Sequence, residues 1–158
     1  MTNLLKTRKR LETKLKKLSL EDKCYIAGLI DGEGCITVYY IKNPNSPQGF
    51  RLRPQIQIGN TNKLIIYWLK ETTGVGVLSI HKQSKAKWKT CYSWYLYVIS
   101  DIKALLEEIL PYLKVKKHQA ELLLEFCKLR LKNIRKWYSD REIQIYQELK
   151  KLNKKGRT

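Results

Sequence analysis

The sequence predicts an α+β fold whose elements follow the order α-β-β-α-β-β-α, with additional helices at both ends. Helical and strand-like periodicities alternate along the chain, and capping residues stand where the helices should begin. Segments containing glycine and proline separate these elements. No internal repeat is found, so we expect residues 19–158 to form one domain that follows a basic helical arm over residues 1–18.

The first two predicted helices differ in character. Residues 1–18 are dense in Lys and Arg and carry leucines at helical spacing, which predicts a basic amphipathic helix. Ser19 and Asp22 resemble a capping box, so a second helix should begin near Leu20. We expect this helix to end at Gly32 or Gly34, because glycine readily adopts the left-handed conformation that closes helices.

Two strands and a loop should follow this helix. Residues 35–42 alternate between apolar and polar side chains, which predicts a strand. Residues 43–49 read NPNSPQG and form a loop. Residues 50–59 predict a second strand, in which Pro54 indicates an edge position or a bulge because proline cannot donate to a strand ladder.

The rest of the chain continues the alternation of elements. The predicted elements are a helix at 62–73 closed by Gly74, strands at 77–83 and 91–99, a helix from Ser100 to residue 110, a helix at 116–134, and a last helix that begins at a Ser139–Glu142 capping box.

The charge of the chain restricts its partners. It has 32 Lys and Arg residues against 14 Asp and Glu residues, a net charge of +18. A well-solvated surface is the simplest explanation, but so large an excess favours a polyanionic partner that relieves the repulsion. Nucleic acid is the obvious polyanion, and its binding should weaken steeply with salt. No segment resembles a membrane span or a signal peptide, so we do not expect a membrane partner.

The most informative segment is IAGLIDGEG at residues 26–34. Gly28 and Gly32 lie four residues apart on one helical face, where two helix backbones can approach closely. The alternative is a helix packed tightly on its own sheet. Glu33 follows directly, between two glycines. A carboxylate at this position in a cationic chain indicates metal-dependent chemistry on nucleic-acid phosphates.

Residues 26–34 resemble the LAGLIDADG motif of homing endonucleases, with Ile, Gly and Glu in place of one Leu, Ala and Asp. The motif occurs once, and single-motif members of that family are homodimers. The resemblance covers roughly residues 20–130 and implies the LAGLIDADG homing endonuclease fold with a four-stranded antiparallel DNA-binding saddle. It also implies a Mg²⁺-dependent endodeoxyribonuclease that cuts both strands of a long, partly palindromic site and promotes the mobility of its own coding intron or element.

The resemblance also implies the catalytic residues. Glu33 and the carbonyl group of Gly32 should bind Mg²⁺, and Ca²⁺ should support DNA binding without cleavage. Residues 110–120, LPYLKVKKHQA, resemble the segment that carries a catalytic lysine, here Lys116. The resemblance implies a third catalytic residue at the end of the second strand; Asn60 is the first choice for it and Gln57 the second. As alternatives, Lys116 is a surface charge and Asn60 is a helix cap.

The dimer interface and the DNA contacts follow from the same comparison. We expect Tyr25, Ala27, Gly28 and Asp31 at the interface, with Asp31 serving mainly the helix end. The second strand alternates strictly, so that its Arg and Gln side chains share the face that should meet base edges. The predicted DNA contacts are Thr37, Tyr39, Ile41, Asn43, Arg51, Arg53, Gln55, Gln57, Ser79, His81, Lys82, Gln83, Ser93, Tyr95 and Tyr97.

Two other functions use the same scaffold. One is an RNA maturase or intron-binding protein, for which intron RNA is a partner; the other is a DNA-binding protein that does not cleave. The arm at residues 1–18 either packs on its own domain or contacts DNA flanks. We expect an intracellular location with DNA, in a prokaryotic cytoplasm or an organelle, because no targeting segment is recognised.

Overall fold

The computed structural model describes residues 11–85, 87–134 and 137–155. A short 3₁₀ turn at Leu110–Tyr112 connects two of the helices, which are named α3 and α4 in the next sentence. The main elements are α1 (Leu20–Glu33), β1 (Gly34–Lys42), β2 (Phe50–Asn60), α2 (Lys63–Thr73), β3 (Val77–His81), β4 (Cys91–Leu96), α3 (Ile99–Ile109), α4 (Lys117–Lys132) and α5 (Asp140–Lys155). The predicted α+β class and the order of elements are confirmed.

The four strands form one antiparallel sheet in the order β1-β2-β4-β3. β2 pairs with β1 from Phe50 to Ile58, but with β4 only from Ile56 to Asn60. Pro54 therefore lies where β2 has a neighbour on one side only, as its missing N–H group requires. The register between β1 and β2 is continuous, so Pro54 marks a locally free edge without a bulge. The Tyr138 hydroxyl covers this edge by bonding the N–H and C=O groups of Leu52 at 3.0 and 3.3 Å.

One face of the sheet is covered by helices and carries the core. Alternate strand residues, including Ile36, Ile56, Ile58 and Trp94, are fully or almost fully buried there, where α1, α3 and α4 pack on the first two strands and α2 packs on β4. The Trp94 indole donates to the carbonyl oxygen of Val75 at 2.9 Å, which satisfies its only polar group. Among the helices that the structure describes, none packs over the opposite face, which is called the open face below.

The capping residues identified in the sequence begin the expected helices. Ser19 accepts from the N–H of Asp22 at the start of α1, and Asn62 accepts from the N–H of Leu64 at the start of α2. Ser139 and Glu142 form the reciprocal contacts of a capping box, since the N–H of Ser139 donates to the Glu142 carboxylate at 2.7 Å and the N–H of Glu142 to the Ser139 hydroxyl at 3.3 Å.

The predicted left-handed cap at the end of α1 is wrong. α1 ends at Glu33, and Gly34 has extended backbone angles, with φ of −80°. Glycine is required for a different reason, because a Cβ atom at Gly34 would lie only 2.7 Å from the Cα atom of Ile30. By contrast, Gly74 closes α2 with φ of 70°, as expected.

The third and fourth strands are shorter than predicted. β3 ends at His81, and β4 ends at Leu96 because the chain turns into α3 at once. The carbonyl oxygen of Val98 already accepts from the N–H groups of Asp101 and Ile102. Ser100 therefore lies inside the first turn of α3, and its predicted role as the cap is wrong.

The predicted N-terminal helix lies mostly in residues 1–10, outside the described part of the chain. Residues 12–19 are not helical, so the prediction is wrong for this segment. The Asp101 carboxylate accepts from the Thr13 hydroxyl at 2.8 Å and from the N–H of Lys14 at 3.0 Å. The N–H of Lys16 donates to the carbonyl oxygen of Thr73. Contacts with the domain thus replace the helical hydrogen bonds.

Candidate functional site

The C-terminal end of α1 brings together residues that are far apart in sequence. The Asn60 amide, at the end of β2, donates to the Glu33 carboxylate at 2.6 Å. The Asn60 side-chain oxygen also accepts from the N–H of Asn62 at 2.7 Å, which fixes the orientation of the amide. Asn62, and not Asn60, is the side-chain cap of α2. Asn60 therefore lies beside Glu33, and its catalytic role stays a prediction.

Gln57, the second choice for this role, lies elsewhere. It is paired across the strands with Cys35 and Tyr95, in the middle of the open face. Its amide is 3.5 Å from the Tyr95 hydroxyl, and no contact joins it to Glu33 in the described part of the chain. The geometry favours Asn60 over Gln57 as the polar neighbour of the carboxylate.

Asp31 and Lys116 tie two helix ends together. The Asp31 carboxylate accepts from the N–H groups of Lys114, Val115 and Lys116 at 2.7, 3.2 and 2.9 Å, at the start of α4. In the opposite direction, the Lys116 ammonium donates to the carbonyl oxygens of Ile30 and Asp31 at 2.9 and 3.0 Å. We call this pair of interactions the reciprocal clamp. It places an anion at a helix N-terminus and a cation at a helix C-terminus, where each is stabilised.

Both members of the clamp have shifted pKa values. Partial burial of the Asp31 carboxylate opposes its charged form, but the three backbone N–H donors outweigh burial and lower its pKa below the ordinary value. Partial burial lowers the pKa of the Lys116 ammonium, while the negative charge of Asp31 acts in the opposite direction. The Asp31 oxygens are thus committed to backbone donors, which supports the structural role expected for this residue.

The oxygen donors at this end of α1 fit a hard divalent cation. Glu33 is exposed and offers a carboxylate, and the last carbonyl groups of a helix, including that of Gly32, have no intrahelical partner. Across the described ranges, no group of three or more His, Cys, Asp or Glu residues is close enough to hold a metal. Glu33 is the carboxylate that this end of α1 offers to such a site, because the Asp31 oxygens accept from backbone N–H groups.

The solvent-facing side of α1 carries two glycines. Gly28 and Gly32 are exposed, and apart from the neighbouring residues and the helix's own backbone, no atom of the described residues lies within 4 Å of the position that a Cβ atom would take at either residue. Tyr25 is also exposed on this helix. Ala27, in contrast, has no accessible surface and belongs to the chain's own core. Ala27 cannot touch a second molecule, so its predicted direct role at a dimer interface is wrong.

The strand registers bring most of the predicted DNA contacts onto the open face. Opposite pairs include Thr37 with Gln55, Tyr39 with Arg53, and Ser79 with Ser93. The contacts between these polar side chains are long, such as 3.3 Å from Arg53 to Gln55. The predicted residues that lie in strands on this face are Thr37, Tyr39, Ile41, Arg51, Arg53, Gln55, Gln57, Ser79, His81, Ser93 and Tyr95.

Some predicted contacts differ from the expectation. Gln55 and Ser93 are buried among their neighbours on the open face, so the structure does not support direct contacts by these two side chains. Four further residues lie outside the strands, because β1, β3 and β4 end before them; they are Asn43, Lys82, Gln83 and Tyr97. The sequence analysis did not predict the reciprocal clamp between Asp31 and Lys116. A lysine at a helix start was the one signal that could have revealed it.

Comparison with known proteins identifies the class. The family model described as LAGLIDADG endonuclease matches residues 26–137, which include the C-terminal part of α1, the whole sheet and α4. This match covers well over half of the chain, and the chain therefore belongs to the LAGLIDADG endonuclease family, as one of its single-motif members. The predicted family and fold are confirmed.

Individual relatives are distant. The DNA endonuclease I-CvuI of Chlorella vulgaris is 24% identical over 106 residues, 66% of this chain and 62% of that protein, so the match spans about three fifths of its length. The crystal structure of I-CvuI with its DNA target and Ca gives a TM-score of 0.67 at 19% identity, covering 82% of this chain and 80% of that one. The archaeal intron-encoded I-Vdi141I bound to DNA gives 0.69 at 23% identity, covering 82% of each chain.

None of the helices in the described part of the chain has the length and apolar character that a membrane span needs.

Proposed function

We propose that this protein is a homodimeric, Mg²⁺-dependent, site-specific DNA endonuclease that cuts both strands of a long, partly palindromic target and promotes the mobility of its own coding intron or element. The observation that carries the proposal is the contact of Asn60 with Glu33 at the end of a helix whose exposed side carries two glycines. This arrangement couples a metal-binding carboxylate to a surface suited to helix pairing.

The metal would be held by the Glu33 carboxylate and the Gly32 carbonyl oxygen. When bound, a divalent ion polarises a phosphate oxygen and lowers the pKa of a coordinated water. The chain's own contribution is orientation. Asn60 holds one oxygen of Glu33 and leaves the other available, while Lys116 holds the end of α1 through the Ile30 and Asp31 carbonyl groups. We expect Ca²⁺ to support binding without cleavage.

The proposed homodimer rests on Gly28 and Gly32. Glycine within a helix is less stable than alanine by about 1 kcal/mol, and nothing in the described part of the chain excludes a Cβ atom at either position. The need for glycine therefore lies outside the chain, and close approach of a second α1 supplies it. A two-fold axis at this helix would bring two Glu33 carboxylates together, and a divalent cation relieves their repulsion.

The proposed DNA surface is the open face. Arginine and glutamine are suited to the base edges of guanine and adenine in the major groove, and Arg51, Arg53 and Gln57 stand there without an acidic neighbour in the strands. Lys82, in the loop after β3, is suited to phosphate contact, which positions a protein without reading sequence. The net charge of +18 supports attraction to the whole duplex.

The test is a selection on a randomised, partly palindromic duplex library. Wild-type protein should cut both strands of one enriched sequence in Mg²⁺ and retain the same sequence uncut in Ca²⁺. Glu33→Gln should retain that sequence in both ions and cut it in neither. Retention by both proteins without any cleavage would contradict the nuclease and favour a binding role, to be followed by assays on structured intron RNA.

A further inference from the structure

The far half of the β1–β2 hairpin has less support from neighbouring strands than the rest of the sheet. β1 begins directly after Glu33 and is 9 residues long, so its far end lies about 25 Å from that carboxylate, at ~3.3 Å per residue. β4 pairs with β2 only from Ile56 onward, so residues 50–55 have a neighbouring strand on one side alone. A two-stranded ribbon without further support is only marginally stable.

Tyr138 takes the place of the missing strand at this edge. Its hydroxyl group accepts from the N–H group of Leu52 at 3.0 Å and donates to the carbonyl oxygen of the same residue at 3.3 Å, as a neighbouring strand would. Its ring stacks on that of Phe50, with centroids 5.6 Å apart and an interplanar angle of 17°. One side chain thus satisfies the strand edge and packs on the helical side of the same strand.

A second set of contacts joins Tyr138 to the loop at residues 43–49. The N–H group of Tyr138 donates to the side-chain oxygen of Gln48 at 2.6 Å, and the Gln48 amide donates to the carbonyl oxygen of Tyr138 at 3.2 Å. The loop is also closed on itself, because the Ser46 hydroxyl lies 2.9 Å from the carbonyl oxygens of both Asn43 and Phe50. The position of the loop therefore depends on the position of Tyr138.

Tyr138 is itself anchored in the helical layer. The Arg130 guanidinium of α4 lies 4.4 Å from the centroid of the Tyr138 ring, as a cation–π contact, and also pairs with the buried carboxylate of Glu142 in α5. Because a buried pair of this kind is costly to break, two helices fix the position of the ring. The far half of the hairpin is thus held from the helical side, while Arg51 and Arg53 stand on its open face.

We propose that Tyr138 is a positioning residue for DNA recognition, which fixes the far half of the hairpin so that its side chains meet the outermost base pairs of the target. The inference rests on the proposed function, in which Glu33 marks the point of cleavage. Readout of a base edge depends on hydrogen bonds, which weaken steeply when donor and acceptor are displaced. The strand around Gln57 is paired with both β1 and β4, so its position does not depend on Tyr138.

The test is the discrimination profile of Tyr138→Phe on single-base variants of the selected target, measured as binding in Ca²⁺. The variant keeps the stacked ring and loses the hydroxyl group, so discrimination at the outermost positions should fall about fivefold, the contribution of one hydrogen bond. Discrimination next to the cut and the single-turnover cleavage rate of the preferred target should not change. Gln48→Ala should give the same pattern, since it removes the tie to the loop.

Tyr146→Phe is the matched control. Tyr146, in α5, also contacts the ring of a hairpin residue, Tyr40, but its hydroxyl group contacts the exposed Lys150 ammonium at 3.5 Å. This variant should keep the wild-type profile, and an equal loss of discrimination in it would overturn the inference. Thermal unfolding would verify that the variants fold. If Tyr138→Phe does not fold, Gln48→Ala decides the test, because Gln48 lies in a surface loop.

The outcomes separate this inference from the proposal beneath it. Site-specific binding by the wild type, with unchanged profiles in Tyr138→Phe and Gln48→Ala, would overturn the inference alone. A uniform loss of affinity for all sequences would also overturn it, because a purely structural role gives that result. A wild-type protein without any preferred sequence would overturn the proposed function, and the inference with it.

Discussion

The end of α1 and the open face of the sheet are held in different ways. At the end of α1, Asn60 contacts Glu33 at 2.6 Å and Lys116 contacts the carbonyl oxygen of Ile30 at 2.9 Å. On the open face, the contacts between side chains along β2 are longer, at 3.3 Å from Arg53 to Gln55 and 3.5 Å from Gln55 to Gln57. Hydrogen bonds weaken as they lengthen, so these contacts hold the polar side chains of β2 less firmly.

This difference matches two different requirements. A reacting group must stand within a fraction of an ångström of its productive position, which rigid contacts ensure. Side chains that read bases must instead reorient to contact the base edges in the groove of a duplex. Weak contacts among these side chains permit such movement. In the proposed function, the same fold separates a fixed chemical site from an adaptable recognition surface.

The largest effect should come from breaking the reciprocal clamp. Asp31→Asn replaces a carboxylate that accepts three N–H groups by an amide that cannot accept them all. We expect a loss of about 1–3 kcal/mol in the free energy of unfolding and a fall of about 10–100-fold in cleavage rate, with DNA retention in Ca²⁺ preserved. Thermal unfolding and single-turnover cleavage measure these changes. Glu71→Gln, at an exposed carboxylate, is the control; equal effects in both variants would contradict the clamp.

A second pair of variants compares the two regions within one strand. Asn60→Ala should slow cleavage by about 10–100-fold at every target without changing the preferred sequence, because it frees Glu33 to reorient. Gln57→Ala should alter the preference at one base position, by about 1–3 kcal/mol. Cleavage profiles on a library of single-base variants distinguish the two. An altered preference in Asn60→Ala would show that the regions are not separate.

A third pair distinguishes two roles of basic residues at the DNA surface. Arg53→Ala should lose about 1–3 kcal/mol of discrimination at one base position, since Arg53 stands on the open face. Lys82→Ala should weaken binding to all sequences alike and reduce the dependence of log affinity on log salt by about one. Binding titrations in Ca²⁺ at several salt concentrations measure both. Uniform weakening by Arg53→Ala would assign it to phosphate contact.

The smallest effect should come from a methyl group on the exposed side of α1. Gly28→Ala should stabilise the isolated chain by about 1 kcal/mol, because space for the Cβ atom is open and alanine favours helices. The same change should raise the dimer dissociation constant by separating the paired helices. Chemical unfolding at protein concentrations below the dimer dissociation constant would measure the change in stability. Sedimentation at concentrations above that constant would measure the change in dimerisation. Gln144→Ala, at an exposed position of α5, should change neither; a tighter Gly28→Ala dimer would contradict helix pairing here.

The sequence predicted local structure better than long-range contacts. Caps such as Ser19, Asn62 and Ser139 could be predicted because each acts within a few residues. The reciprocal clamp joins residues more than 80 positions apart, and periodicity carries no information on such pairs. The role of Gly34 was misassigned because it depends on the approach of the backbone at Ile30. Ala27 was misassigned because the sheet decides which side of α1 is buried.

In the proposed function, the site at the end of α1 is complete only when two chains each contribute Glu33 to it. Co-expression of wild-type and Glu33→Gln chains with different tags would allow heterodimers to be purified and tested on a plasmid that carries the selected target. Wild-type dimers should linearise the plasmid, and we expect heterodimers to give no linear product. Linearisation by heterodimers at the wild-type rate would contradict a site shared by two Glu33 carboxylates.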